Sequence, residues 1–351
     1  MVIAISLFGC LMVYSASYYT AELQTGNKYF YLTKQLIGFI LGSVSMLFFC
    51  FFDYKKLMKV SVVVLIISIA LLCVVFTPLG VENYGARRWI SLGGMTIQPS
   101  EIAKFAYIIF TATYFYKNKE KPNNFLKILP VLIVGGIICL LIMLEPNMSI
   151  TVCVGALMLA LLLVSGTKMK NMLIIIVPLA VLAPLLIILE PYRLKRLLAF
   201  INPWASPKGE GYQLLQSLYG LGSGGWFGVG LFNSRQKYRF LPFSESDFIL
   251  SIIGEELGFI GTAILFACFL FLGIKCFKVA SKTKNLFAFL LTVGITTIFL
   301  IQVSINALVV TGSIPPTGLP LPLISSGNTS LIVFMSSFGI VYNVSRDRDK
   351  V

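Results

Sequence analysis

Ten apolar runs recur along this chain, each long enough to cross a bilayer as a helix, and they leave it little else to fold into. They fall at about 1–19, 31–52, 57–77, 99–116, 126–144, 149–166, 171–189, 247–273, 286–308 and 329–344. Inside hydrocarbon the backbone must satisfy its own hydrogen bonds, so such runs become α-helices. Composition agrees: of 351 residues, 57% are hydrophobic and 12% charged, against about 25% charged in a soluble domain. So few charges cannot cover a water-facing surface, which excludes a soluble enzyme, a disordered tail and a nucleic-acid domain. The expected fold is an all-α polytopic integral membrane protein of ten transmembrane helices. It is read as one domain over 1–351, with the extracytoplasmic loop 190–246 as a functional segment. The first run ends in Ser15-Ala16-Ser17, imitating a signal-peptide cleavage site, and Leu7-Phe8-Gly9-Cys10 imitates a lipoprotein signal. It lacks the basic flank of either, and nine further runs fix the protein in the membrane without it. A short cytoplasmic leader is expected ahead of this helix.

Lys and Arg set the orientation. The connections after the second, fourth, sixth and eighth runs carry Lys55, Lys56 and Lys59; Lys117, Lys119, Lys121 and Lys127; Lys168 and Lys170; and Lys275, Lys278, Lys282 and Lys284. Arg346, Arg348 and Lys350 close the tail. The short connections on the other side hold Lys28 and Lys34, then Arg87 and Arg88. Both termini are therefore expected in the cytoplasm, and a cysteine introduced at Asn123 is expected to react only from that side. The excess of 28 Lys+Arg over 14 Asp+Glu reflects cytoplasmic loops and anionic lipid, with no nucleic-acid partner. Seven cysteines lie in or beside apolar runs without CxxC spacing, which predicts free thiols and no zinc site. Histidine is absent. That removes Ser-His-Asp, HExxH and His-relay chemistry, leaving acid–base work to carboxylates, Lys, Tyr or water.

The connection 190–246 is long for a mere link, and long outer segments escape the charge rule. It carries Arg193, Lys195 and Arg196, then Tyr212, Gln213 and Gln216 in a short amphipathic helix. Gly222-Ser-Gly-Gly-Trp-Phe-Gly-Val-Gly230 follows, and Arg235, Lys237 and Arg239 precede Asp247. The cations, with Arg87 and Arg88, have two readings. They contact lipid headgroups, or they bind a polyanion such as a lipid diphosphate, for which Arg offers a bidentate fork. The glycines either form a tight turn or present backbone N–H groups to an anion. Asp247, in Ser-Glu-Ser-Asp-Phe-Ile-Leu, either caps the eighth helix or acts as general base toward a sugar hydroxyl, with cations holding an anionic leaving group. Glu245 is its rival. Gly254 and Gly258 share the helical face of Asp247 at i+7 and i+11, where another helix or a lipid tail can approach closely.

Inside the fourth run, Gln98 reads as a helix cap, Pro99 as the first helical residue, Glu101 as a first-turn acid and Lys104 as a charge one turn deeper. Embedded charges face the bundle interior and pair, so Glu145, Glu255 and Glu256 are candidate partners. A structural ion pair and a proton or ion pathway both fit. The stretch 311–328 is broken by Pro and Gly, and irregular backbone near membrane depth belongs against a cavity. The Asp247 carboxylate is expected in an outward-open cavity lined by the 78–98, 190–246 and 311–328 loops.

These motifs resemble the SEDS family, whose members include RodA, FtsW and SpoVE. The resemblance rests on Gly85-Ala-Arg-Arg-Trp89-Ile, Gln98-Pro-Ser-Glu-Ile-Ala-Lys104 and Gly211-Tyr-Gln-Leu-Leu-Gln-Ser217. It continues through Gly222-Ser-Gly-Gly225, Gln236-Lys237, Asp247-Phe-Ile, Gly254-Glu-Glu-Leu-Gly258 and Pro316-Thr-Gly-Leu-Pro-Leu-Pro-Leu-Ile-Ser325. Gly228-Val-Gly-Leu and Ser234-Arg-Gln-Lys237 are more similar to the FtsW/SpoVE branch than to RodA. The resemblance covers the whole chain in order.

It implies a multi-pass protein of the bacterial cytoplasmic membrane with peptidoglycan glycosyltransferase activity on lipid II, serving division or sporulation. A class B penicillin-binding protein is the implied partner, beside membrane lipids and other divisome or sporulation proteins. Asp247 falls on the essential outer-loop aspartate and is the catalytic candidate. The substrate-binding candidates are Arg87, Arg88, Trp89, Arg193, Arg196, Gln213, Gln216, Ser217, Arg235, Lys237, Arg239 and Ser325. Glu101, Lys104, Glu145, Glu255 and Glu256 form the candidate charge network. No tightly bound cofactor is expected, apart from a divalent cation, Mg or Mn, as an option. Two departures stand out. Leu241-Pro-Phe-Ser-Glu-Ser replaces a Leu-Pro-Glu link, pointing to Glu245 for the missing carboxylate, and Ser325-Ser-Gly-Asn-Thr-Ser330 replaces Ser-Tyr-Gly-Gly-Ser-Ser. The alternative readings are a lipid II flippase and a non-catalytic scaffold.

Overall fold

The computed structural model describes residues 1–83, 86–92, 95–118, 124–188 and 191–348. Asn123, Gly85, Lys119, Lys121 and Lys350 lie outside the described residues, as does the side chain of Arg193. The helices are α1 (Val2–Thr25), α2 (Phe30–Phe51), α3 (Lys55–Val74), α4 (Pro99–Lys117), α5 (Phe125–Leu144), α6 (Met148–Val164), α7 (Met169–Ile188), α8 (Pro191–Ile201), α9 (Tyr212–Gly224), α10 (Ile249–Lys282), α11 (Leu286–Val310) and α12 (Asn328–Arg348). Among the described residues, six helices are long and apolar enough to cross a membrane: α1, α2, α3, α5, α10 and α11. This is a polytopic membrane protein. All seven cysteines are free thiols.

The all-α expectation needs one correction. Between α3 and α4 the chain forms a small antiparallel sheet, β1 (Gly80–Asn83), β2 (Ala86–Leu92) and β3 (Met95–Ile97), in the order β1-β2-β3. Its strands pair Gly80 with Ile90 and Ile90 with Ile97. Strands this short leave no periodicity that a hydropathy reading can detect.

The chain divides into two compact units. The first comprises 1–39, 174–271 and 302–327; the second comprises 40–173, 272–301 and 328–351. In the second unit α3 shows the physics of a lipid-facing helix. Its buried stripe is Leu57, Ser61, Leu65, Ser68 and Leu72, while Val62, Val63, Ile66 and Ile67 are exposed. Two small serines let neighbouring helices approach between the buried leucines, while the β-branched residues face outward. The same rule joins α2 to α12. Gly339 lies so close to the Met46 carbonyl that a Cβ would collide with it, and the Ser45 and Ser336 hydroxyls meet at 2.6 Å. The last turn of α12 is pinned to the α2–α3 junction, where Asp347 accepts from the Tyr54 hydroxyl at 2.9 Å and pairs with Lys55 at 2.8 Å.

Helix α4 begins at Pro99 with Gln98 in the cap position and Glu101 in its first turn. Most of this helix is buried, Glu101 and Lys104 with it, so these two charges must satisfy each other within the protein. Lys104 Nζ meets Glu101 Oε1 at 2.8 Å, both side chains fully buried. The Phe334 ring lies 5.7 Å from the same ammonium.

Candidate active site

The first unit holds the connection between α7 and α10, and its architecture starts from a broken helix. At Gly258 (φ 68°, ψ −168°) α10 leaves helical geometry. A break strands backbone groups that must find other partners. The Gly-rich stretch supplies them. Val229 and Gly230 donate to the Glu255 and Glu256 carbonyls at 2.9 and 3.0 Å, while Phe259 and Ile260 donate to the Gly225 and Trp226 carbonyls at 2.9 and 3.1 Å. A Cβ at Gly228 would collide with the Glu256 carbonyl, so only glycine permits this approach. Two expectations change here. The glycines insert into a helix break, their neighbouring N–H groups spent on it instead of on an anion. Asp247, Gly254 and Gly258 also share no continuous helical face, because α10 starts at Ile249 and breaks at Gly258.

The side chains at the break close a second layer. Glu255 accepts from the Ser234 hydroxyl, from Arg235 N at 3.0 Å and from Gln236 N at 3.3 Å. Glu256 accepts from Ser15 Oγ at 2.6 Å and pairs with Lys237 Nζ at 3.0 Å. Lys237 is fully buried, with the Tyr18 ring 5.0 Å away. This corrects its assignment to a polyanion: the ammonium faces inward and neutralises a buried carboxylate. Glu255 and Glu256 thus anchor the 234–237 turn, whereas Glu101 and Lys104 belong to the other unit. Arg235 and Arg239, flanking Lys237, are exposed.

Asp247 lies just ahead of α10 and is half-buried. The backbone that carries it is held at three consecutive carbonyls. Glu245 O accepts from Ser326 N at 2.9 Å, Ser246 O from Ser325 Oγ at 2.6 Å, and Asp247 O from Asn306 Nδ2 at 2.8 Å. All three donors come from the end of α11 and the Pro-rich loop after it. That loop has few N–H groups of its own, and its carbonyls are taken by α11: Gln302 donates to Pro320 O at 3.0 Å and Asn306 to Leu319 O at 2.7 Å. Gly318 (φ 76°) sits where a Cβ would stand 3.2 Å from Asp247 Oδ2. The loop therefore presents bare backbone to the carboxylate. Glu245 is half-buried, and burial pushes its carboxyl pKa above the usual range.

The remaining candidates separate by what they touch. Arg196, half-buried on α8, donates to Pro316 O at 3.4 Å. With Gln213, Glu210, Phe200 and Leu214 it lines a cavity of about 20 Å³, room for about one water. Gln213 Nε2 donates to Pro242 O at 3.3 Å, and Gln216 is half-buried. Ser217 and Ser325, expected at the substrate, are buried and structural. Ser217 Oγ bonds Ser251 Oγ at 2.6 Å and Val310 O at 2.7 Å, while Ser325 Oγ also accepts from Leu321 N at 2.7 Å. Gln302 and Asn306 escaped the sequence reading. Their signal was available: two amides one turn apart in an apolar helix, each needing a buried partner.

Arg87, Arg88 and Trp89 lie in the second unit. Arg87 makes an exposed 3.4 Å contact with Glu82, which contributes little. Arg88 donates to the Glu145 and Pro146 carbonyls at 3.1 and 2.5 Å, tying the sheet to the turn between α5 and α6. Trp89 is half-buried. The Glu145 carboxyl is buried and its pKa is pushed up to about 8, the charge of Arg88 opposing that rise. The folded state therefore holds a proton that the unfolded chain releases near the ordinary carboxylate value, so this group's contribution worsens as pH rises from about 4.5 to about 8. Glu145→Gln should raise the melting temperature more at pH 8.5 than at pH 5; an equal gain at both would contradict the assignment.

Among the described residues, no group of three or more Cys, Asp or Glu side chains converges to hold a metal ion.

Comparison with known proteins decides the lineage. The profile of the cell cycle protein family of FtsW, RodA and SpoVE matches residues 1–350. The chain belongs to this family. A probable peptidoglycan glycosyltransferase FtsW of Trichlorobacter lovleyi is 37% identical, covering 98% of this chain and 91% of its own. Stage V sporulation protein E of Bacillus subtilis is 36% identical, covering 96% and 93%. Among solved structures, a chain of a peptidoglycan synthase complex that coordinates polymerization and crosslinking superposes with TM-score 0.81 at 27% identity, covering 100% of this chain and 97% of its own. The rod shape determining protein RodA of Thermus thermophilus gives 0.73 at 26%, covering 99% and 95%. As an FtsW/RodA/SpoVE protein, the chain resides in the cytoplasmic membrane as a multi-pass protein.

Proposed function

We propose that this FtsW/RodA/SpoVE protein is an inverting peptidoglycan glycosyltransferase that polymerises lipid II. The observation that carries the reading is Asp247: a half-buried carboxylate beside bare loop backbone, its own backbone held at three successive carbonyls. The donor is an α-linked sugar diphosphate and the polymer is β-linked, so one displacement with one base suffices. Asp247 takes the proton from the 4-hydroxyl of the acceptor N-acetylglucosamine as that oxygen attacks C1 of the donor N-acetylmuramic acid. The C1–O bond to undecaprenyl diphosphate breaks, and Arg196, Arg235 and Arg239 supply cations for the departing diphosphate. The partner is a class B penicillin-binding protein, and the setting is division or sporulation. Purified protein and partner with labelled lipid II should yield β-linked glycan, and either protein alone should yield much less. Absence of glycan under all three conditions rejects the proposal.

Transport of lipid II is the second reading, favoured by the buried Glu101–Lys104 pair inside α4. Detergent discriminates, because without compartments a flippase has nothing to do, whereas a transferase still makes polymer.

The proposed topology has ten spans with both termini cytoplasmic. In a variant lacking native cysteines, a cysteine at Thr283 should react only from the cytoplasmic side and one at Ser206 only from outside. The reverse pattern would overturn it.

A further inference from the structure

We propose that Asn306 is a positioning residue for the reaction, holding Asp247 at a fixed distance from the bare backbone at Gly318 so that an incoming hydroxyl meets the carboxylate. The inference rests on the reading of Asp247 as the base. Asn306 is 1% exposed, and its amide nitrogen donates to two carbonyls, Asp247 O at 2.8 Å and Leu319 O at 2.7 Å. Both neighbours only accept, so the NH₂ group must face them. The amide oxygen is thereby left buried with no hydrogen-bond partner among the described residues. Buried polar atoms are rarely left so. A residue chosen for stability alone would avoid this arrangement, so the bridge answers a different need. One side chain joins the catalytic candidate itself to the residue next to Gly318, and Gly318 is where a Cβ would stand 3.2 Å from Asp247 Oδ2. Gln302, one turn earlier, holds the next carbonyl, Pro320 O, at 3.0 Å and keeps the loop in register. The hydrogen bonds from Ser325 and Ser326 fix residues 246 and 245 but do not touch the carrier of the carboxylate. Asn306 alone among these links spans from Asp247 to the loop segment facing it.

Displacing a reacting group by about 1 Å can cost on the order of 100-fold in rate without weakening binding. Asn306→Leu keeps the branching at Cγ and removes both donors. In the polymerisation assay with its partner, kcat should fall by about 10- to 100-fold while KM for lipid II and the melting temperature stay near wild type. Wild-type kcat would overturn the inference, and so would a loss shared by kcat, KM and melting temperature, which marks a purely structural role. Should Asn306→Leu not fold, Gly318→Ala decides. Exposed in the loop, where the left-handed backbone strains an alanine only modestly, it should fold and lose kcat by crowding Oδ2, and full activity would overturn the inference. Asp247→Asn in the same assay separates the two readings. If Asp247→Asn is inactive and Asn306→Leu is fully active, only the positioning role fails; if Asp247→Asn is active, the base assignment fails first.

Discussion

Asp247→Asn is expected to abolish glycan polymerisation while leaving the protein folded and able to bind lipid II. The substitution preserves size and shape but cannot accept a proton. Removing a general base typically lowers turnover by about 10²- to 10⁴-fold. The anchoring of this segment uses the backbone carbonyls of 245, 246 and 247 and so survives the change. Melting temperature and lipid II affinity should therefore stay close to wild type. Near-normal turnover would remove Asp247 from the chemistry, and Glu245, whose carboxyl burial keeps more readily protonated, would be the next residue to replace.

Lys237→Met is expected to have the largest effect on stability. The change leaves Glu256 fully buried without its counter-charge, with hydrogen bonds from Ser15 Oγ and Ser234 N. Breaking one side of a buried pair costs about 3–5 kcal/mol. Replacing both partners, Lys237→Met with Glu256→Gln, should restore much of the loss, because no uncompensated charge then remains. The check is the melting temperature of the purified single and double variants. A single variant that melts normally but binds lipid II weakly, in a salt-dependent way, would return Lys237 to the substrate-binding cations.

These two residues also mark how far the sequence could be read. Charge and hydropathy identified a membrane protein and the start of α4 at Pro99, because each leaves a local signature. Lys237 does not. Arg235, Lys237 and Arg239 alternate, and alternation cannot say which of the three turns inward until Glu256 is seen beside it. The break at Gly258 was hidden for a similar reason: Ile-Gly-Glu-Glu-Leu-Gly-Phe is apolar enough to pass as helix, and the groups that satisfy the break come from residues 225–230. Ser217 and Ser325 were read as substrate contacts from their motifs, yet their hydroxyls are spent on neighbouring backbone and Ser251. A motif records that a residue type is needed, and only packing says for what. Asn306 shows the converse, a polar residue in an apolar helix whose two bonds reach Asp247 and the loop that faces it.

The central claim is that this membrane protein forms a glycosidic bond. Its most direct test is one reaction in detergent, containing the purified protein, a class B penicillin-binding protein and lipid II labelled in both sugar and lipid. The account predicts glycan strands and free undecaprenyl diphosphate appearing together, one lipid released for each bond formed. Lipid II that stays intact in that mixture, while the same preparation moves it across vesicle membranes, would contradict the account.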